Sequence, residues 1–291
     1  MSISNWFETF NSNLRMSKDT VDTISYRYKR ITKQLNKDFW NSESDTLHSF
    51  YVGSYGRGTE IHTSDIDMIM QLQYETYVQY NAYTNNGQSA LLQAVKTSIE
   101  KTYKPTSIRA DGQVIILNFD DNICFEVVPA FLNIDGSYTF PDANDGGKWR
   151  TTNPKPEIEV MTSSNINWNK NLKRLCRMGR AWKEKWDVPI GGLLIDTLAY
   201  NFLSNYQYKD KSYLYYDFMS RDFFAYMKDQ KANQQYWLAV GTNQYVYTKG
   251  NFQYKALRCY NISLEAIEKE KDYQATAKSK WREIYGTKFP S

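Results

Sequence analysis

Apolar residues recur every three or four positions between residues 5 and 40. Trp6, Phe7 and Phe10 open the run, and Val21, Ile24, Tyr28, Ile31 and Leu35 continue it, which predicts one long helix. The period then shortens. "HSFYVGSY" (48–55) reads as a short strand entering a glycine-rich turn. "DIDMIMQL" (65–72) alternates polar and apolar before becoming nearly all apolar, as an interior strand does. Helical spacing returns in "GQSALLQAVKTSIEKTY" (87–103). "QVIILNFDDNICFEVVPAF" (113–131) holds two apolar runs around Asp120, Asp121 and Asn122, a hairpin with a polar turn. From about 141 to 165, "PDANDGGKWRTTNPKPEI" carries three prolines and two glycines and predicts a loop or linker.

Beyond that segment the pattern is mainly helical. "NLKRLCRMGRAWKEKW" (171–186) is strongly basic, and "GGLLIDTLAYNFL" (191–203) is apolar almost all round, as a buried helix is. Two more helical stretches follow near 213–230 and 256–284, and "YVYTKGNFQY" between them predicts a turn or small hairpin. The expected organisation is a mixed α/β half over residues 1–150 followed by a helical half over 151–291.

Composition narrows the function. The chain has 291 residues, 41% of them hydrophobic and 16% aromatic, enough for substantial cores. A net charge of +4 is too small for a protein that coats nucleic acid, so any anion site must come from clustered charge. Cys124, Cys176 and Cys259 fit neither a disulfide framework nor a zinc site, which points to a reducing cytoplasm. Two histidines, His48 and His62, make a histidine-based metal site or triad a poor expectation. No signal peptide or membrane span is expected.

In a strand, residues i and i+2 point the same way. Asp65 and Asp67 therefore project two carboxylates from one face while Ile66 enters the core. Such a pair is unfavourable unless a cation neutralises it, and hard oxygen ligands select Mg²⁺ or Mn²⁺. Glu126, in the otherwise apolar "CFEVVPAF", supplies a third carboxylate; Asp120 and Asp121 are weaker candidates because turns collect solvated aspartates. A D-x-D also occurs as a solvated strand edge or a sugar-nucleotide metal motif. The preceding glycine turn and the acid on an apolar strand favour catalysis.

Within "GSYGRGTEIHTSDIDM", Gly53, Gly56 and Gly58 let backbone N–H groups converge on a phosphate, and Ser54 adds a hydroxyl donor. The Walker pattern is absent, and the dinucleotide fingerprint does not fit. Arg57 either touches phosphate or braces the loop or a nearby acidic residue, the second being favoured.

"GSYGRGT…SDIDM…FEV" resembles the DNA polymerase β-type nucleotidyltransferases. "VGSYGRGTEIHTSDIDM", "FEVVPAF", "GGKWRTTNPK" and "RMGRAWKEKW…GGLLIDTLAY" together are similar to the bacterial cGAS/DncV-like nucleotidyltransferases. The resemblance implies an α+β fold: a polymerase β-like palm of mixed sheet and flanking helices, plus a C-terminal helical nucleotide-binding lobe, bridged by a long N-terminal helix. It implies a cyclic dinucleotide synthase of anti-phage defence, joining two ribonucleoside triphosphates (ATP, UTP or both) in the cleft between the lobes; the alternatives are a template-independent polymerase making linear oligonucleotides or RNA tails, and a non-catalytic nucleotide- or RNA-binding pseudoenzyme. No template or membrane is implied, and the product acts on a separate effector. Gly53 and Ser54 would hold the donor triphosphate. Asp65 and Asp67 would bind two Mg²⁺ (or Mn²⁺) ions, and Glu126 would complete the metal site; many relatives have aspartate there. Lys173, Arg177 and Arg180, at i, i+4, i+7 on the basic helix, would bind the outer phosphates. The alternative for that helix is a solvated charged face. Trp149 and Tyr200 are candidates to stack on bases, with packing the default role. Asparagines 165, 167, 169 and 171 are candidates to read a base edge or to act as caps.

Overall fold

The computed structural model describes residues 2–63, 65–103 and 106–291. The chain opens with helices α1 (Ile3–Asn13) and α2 (Lys18–Trp40), strand β1 (Ser49–Tyr51), the short helix α3 (Gly53–Arg57) and strand β2 (Ile66–Gln71). Helices α4 (Tyr74–Asn81) and α5 (Gly87–Glu100) precede strands β3 (Ser107–Asp111), β4 (Val114–Asn118), β5 (Cys124–Leu132), β6 (Tyr138–Asp142) and β7 (Lys148–Thr152). Helices α6 (Lys155–Asn167), α7 (Asn171–Lys185), α8 (Gly192–Asn205) and α9 (Tyr216–Lys228) follow. A small hairpin, β8 (Tyr236–Leu238) and β9 (Tyr245–Tyr247), leads to α10 (Gln253–Lys269) and α11 (Gln274–Tyr285). Among the described residues, no helix is long and apolar enough to cross a membrane.

Two compact units emerge. One takes residues 16–56 and 62–155; the other takes 1–15, 57–61 and 156–291. The first is built on a seven-stranded mixed sheet whose main path runs β1-β2-β5-β4-β3, with β6 on β5 and β7 on β6. Among the described residues, β2 and β5 pair in parallel and its other pairs are antiparallel. Ile66, Met68 and Met70 alternate into the core, where they meet Ile115, Leu117, Phe125 and Val127. Ile24, Ile31 and Leu35 of α2 and Leu91, Leu92, Val95 and Ile99 of α5 cover that face.

The second unit is helical. Trp6, Phe7 and Phe10 of α1 pack with Trp182, Trp281 and Phe289, and the rings of Phe7 and Trp281 meet edge to face at 5.1 Å. The single helix expected over 5–40 is two. Ser17 stops it: its hydroxyl accepts from the Thr20 N–H and caps α2. The linker expected over 141–165 is mostly regular structure, β6, β7 and α6. Its glycines sit in the β6–β7 turn, where Gly146 and Gly147 take positive φ. Pro156 falls in the first turn of α6, where a missing N–H costs nothing. The helical stretch expected over 256–284 is broken between α10 and α11.

Candidate active site

The parallel pairing of β2 with β5 places Asp67 directly beside Glu126. Register partners on adjacent strands project from the same face, about 5 Å apart at their backbones. Asp65 lies one residue ahead of β2, exposed, while Ile66 is fully buried. Burial raises the Glu126 carboxyl above its usual range; Asp65 and Asp111 push it the same way, and Arg109 opposes them. The Cys124 thiol is raised by burial first and then by the fields of Glu126 and Asp65. Among the described residues, no three His, Cys, Asp or Glu side chains are arranged to hold an ion as they stand. What the acids offer is a shared face and a purely oxygen donor set, which fits Mg²⁺ or Mn²⁺ rather than a softer metal.

The glycine turn is tied to this face. The Val52 N–H donates to the Asp67 carbonyl at 2.9 Å, and Gly53 follows with φ +59°. A Cβ on Gly53 would lie 1.8 Å from Asp67 Oδ2, so only glycine lets the turn and the carboxylate share this space. Ser54 and Tyr55 then form the body of α3.

Arg57 ends α3 and is buried. Its Nε donates to Asp196 Oδ2 at 3.0 Å, and its Nη1 donates to Glu157 Oε2 at 3.4 Å. Asp196 also accepts from Thr59 Oγ1 and, in a two-pronged contact, from Arg180 Nη1 and Nη2 at 2.5 and 2.9 Å. Burial alone would raise the Asp196 carboxyl, but Arg180 and Arg57 hold it at about 2. The four charges of Arg57, Arg180, Asp196 and Glu157 cancel within the helical unit.

Arg180, expected at the outer phosphates, is buried in this cluster. Its guanidinium faces Asp196 and the Gly192 carbonyl, inside a helix stripe where Met178, Gly179, Ala181 and Trp182 are also buried. Lys173 and Arg177 are placed differently. They line a cavity of about 460 Å³ with Lys170, Arg174 and Arg15. Arg177 pairs with Glu60 at 3.3 Å, and Lys173 Nζ donates to Thr162 Oγ1 at 3.3 Å, alongside Gly58. Burial lowers the Lys173 pKa, and the neighbouring Arg177 lowers it further.

Asp196, Glu157, Lys170 and Arg174 were not singled out from the sequence. Asp196 had a signal of the same kind as Glu126, a lone acid in an apolar segment. Of the stacking candidates, Trp149 packs on Tyr77 and Phe131 and bonds Asn81, whereas Tyr200 lines a cavity. Asn165 and Asn171 hold backbone: Asn165 Oδ1 accepts from the Lys173 N–H, and Asn171 Nδ2 donates to the carbonyls of Lys209 and Lys211.

The mixed sheet with its flanking helices and the mainly helical C-terminal part have a polymerase β-like fold. Residues 1–165 match the Second Messenger Oligonucleotide or Dinucleotide Synthetase domain. The chain belongs to that family and is a nucleotidyltransferase of the bacterial cGAS/DncV-like class. It is 24% identical over 277 residues to a probable cyclic nucleotide synthase of Bacillus cereus (strain VD146), a match that covers 82% of this chain and 81% of the relative. Its fold is similar to that of Escherichia coli MS115-1 CdnC, solved in complex with HORMA-deltaN (TM-score 0.68, 13% identity, 99% and 98% of the two chains). It is also similar to the Vibrio cholerae DncV cyclic AMP-GMP synthase, a prokaryotic cGAS homolog (0.62, 13%, 99% and 87%). A third similar structure is the Elizabethkingia meningoseptica CdnE cyclic dinucleotide synthase with GTP and Apcpp (0.59, 16%, 85% and 98%).

Proposed function

We propose that this chain condenses two ribonucleoside triphosphates, ATP and UTP foremost, into a cyclic dinucleotide, with Mg²⁺ or Mn²⁺ and without a template. The product would serve as a cytoplasmic messenger to a separate effector in anti-phage signalling. The observation that carries this reading is the pairing of Asp67 with Glu126 on parallel strands beside a glycine turn that no other residue could form.

A ribose hydroxyl of one nucleotide attacks the α-phosphorus of the other; the new O–P bond forms as the bond to pyrophosphate breaks. Two divalent cations, when bound, neutralise the carboxylates and polarise the phosphate oxygens. Asp65 and Asp67 would hold them, and Glu126 would complete the set and accept the hydroxyl proton. Gly53 and Ser54 present donors to the donor triphosphate. Lys173 and Arg177, crowded cations in a cavity without enough acid to neutralise them, would hold the outer phosphates and the departing pyrophosphate. A second transfer on the linear intermediate closes the ring.

The test is incubation with all four ribonucleotides and Mg²⁺ or Mn²⁺, phosphatase treatment and mass spectrometry. One phosphatase-resistant mass, absent with Asp65→Asn or Asp67→Asn, is expected. A ladder of linear products would replace ring synthesis by polymerisation. No pyrophosphate with either metal would overturn the assignment.

A further inference from the structure

Helix α10 buries one side and leaves the other uncovered. Ala256, Cys259, Ile262, Ser263 and Ala266 face the core of the helical unit. On the opposite side Tyr254, Leu257 and Leu264 are 61%, 42% and 41% exposed, and Asn261 is exposed between them. A lone apolar residue at a surface is ordinary, but three aligned along one helix form a stripe. The steps from 254 to 257, 261 and 264 alternate three and four, the period that presents a seam to a second helix. Neighbouring helices hold α10 from both flanks. Lys228 of α9 lies over the Tyr260 ring at 5.3 Å, and Lys280 of α11 pairs with Glu265 at 2.7 Å.

The charges beside the seam select what covers it. Arg258 and Glu265 are both exposed and share one flank, about two helical turns apart. The Trp186 ring, 5.4 Å from the Arg258 guanidinium, backs that side chain. A second α10 laid parallel would set Arg258 against Arg258 and Glu265 against Glu265. Laid antiparallel, it sets Arg258 of each copy against Glu265 of the other, and Leu257 against Leu264. Both pairs are centred within about half a residue of Asn261, so one two-fold axis serves them all. Asn261 then meets its own copy, where an amide both donates and accepts, and a polar residue in a seam fixes register.

We propose that α10 is a self-association surface, pairing antiparallel with the α10 of a second copy of this chain through Leu257–Leu264 and Arg258–Glu265 contacts. One helix pair covers less than the roughly 800 Å² per partner of a durable complex, so the dimer is reversible and concentration-dependent.

Sedimentation velocity of the full chain, over a roughly hundredfold range of concentration, reads the association directly. The sedimentation coefficient should climb from monomer towards dimer. Leu264→Glu should remain monomeric, and Arg258→Glu and Glu265→Arg should each weaken the dimer about tenfold or more, since each brings like charges together. An equimolar mixture of those two variants should associate again, because every facing pair is then opposite in sign. All three positions are exposed, so melting temperatures should stay within about 2 °C of the parent. A chain that is monomeric at every concentration leaves this face to some other protein and overturns the proposal. So does a dimer indifferent to Leu264→Glu and Arg258→Glu, or one lost in the charge variants and not regained on mixing them.

Discussion

Gly53 and Asp67 occupy space that a single added carbon would close: a Cβ on the glycine would meet the aspartate Oδ2 at 1.8 Å. Gly53→Ala therefore has two expected effects. Positive φ on a residue with a side chain costs about 1–3 kcal/mol of stability. Displacing the Asp67 carboxylate should lower pyrophosphate release about a hundredfold, as a misplacement near 1 Å does. A thermal melt and a pyrophosphate assay on the same preparation separate them; alanine at 53 with normal turnover would show that the turn and the carboxylate are independent.

Lys173 and Arg180, two cations on one helix, are expected to respond in opposite ways. Lys173→Met removes a half-buried charge repelled by Arg177, so the protein should melt at the same temperature or slightly higher. Its KM for triphosphate should rise about tenfold. Arg180→Met leaves Asp196 without its two-pronged partner, and the expected loss is about 3–5 kcal/mol, whatever its kinetic effect. Equal melting temperatures for the two variants would contradict this division of roles.

Asp196 also sets an acid limit. Its folded-state pKa of about 2 lies below the unfolded value, so its contribution is full above about pH 4 and is lost as pH falls towards 2. The amount is on the order of 2–3 kcal/mol for a fully buried group. Asp196→Asn should flatten that acid limb in a series of denaturant melts between about pH 2 and 5, while lowering stability at neutral pH.

Asp217 and Glu270 predict the opposite slope. Burial raises both carboxyls; the neighbouring Asp217 raises Glu270 further, while the side-chain hydrogen bond that joins them partly lowers Asp217. Raised folded pKa values mean the pair stabilises fully below about pH 4, the unfolded carboxyl range, and progressively less as pH rises through the raised values. Glu270→Gln keeps the acceptor for Trp281 Nε1 but cannot ionise, so it should raise the melting temperature by about 2 °C or more above neutral pH. Below about pH 4 the variant and the parent should coincide.

Asp67 and Glu126 stand out in the sequence as candidates because a carboxylate on an apolar strand has few structural uses. Strand period puts Asp65 and Asp67 on one side of the chain, but that Asp67 lies beside Glu126 follows from the register of β2 on β5, which no period in the sequence gives. The role of Arg180 was not legible. Spacing of i, i+4, i+7 shows which side chains share a face but not which face the neighbouring helices bury; α8 decided that by bringing Asp196 to it. Over 141–165, proline and glycine correctly marked interruptions, yet cross-strand pairing from Tyr138–Thr152 to Asp142–Lys148 overrode local composition. At the chain start, periodicity ran through residues 14–17 without registering Ser17 as a cap. Asn165 and Asn171, candidates to read a base edge or to act as caps, bond backbone groups.

The interleaving of the two units has a practical consequence. Residues 1–15 and 57–61 belong with the helical unit, so the chain passes from one unit to the other four times. No single cut yields either unit whole: a fragment ending at 155 carries orphaned apolar side chains of α1, and one starting at 156 lacks the partners of Asp196 at 57 and 59. Chimeras between relatives must exchange three separate segments to transplant the helical unit, and an inactive single-junction hybrid says nothing about which unit chooses the base.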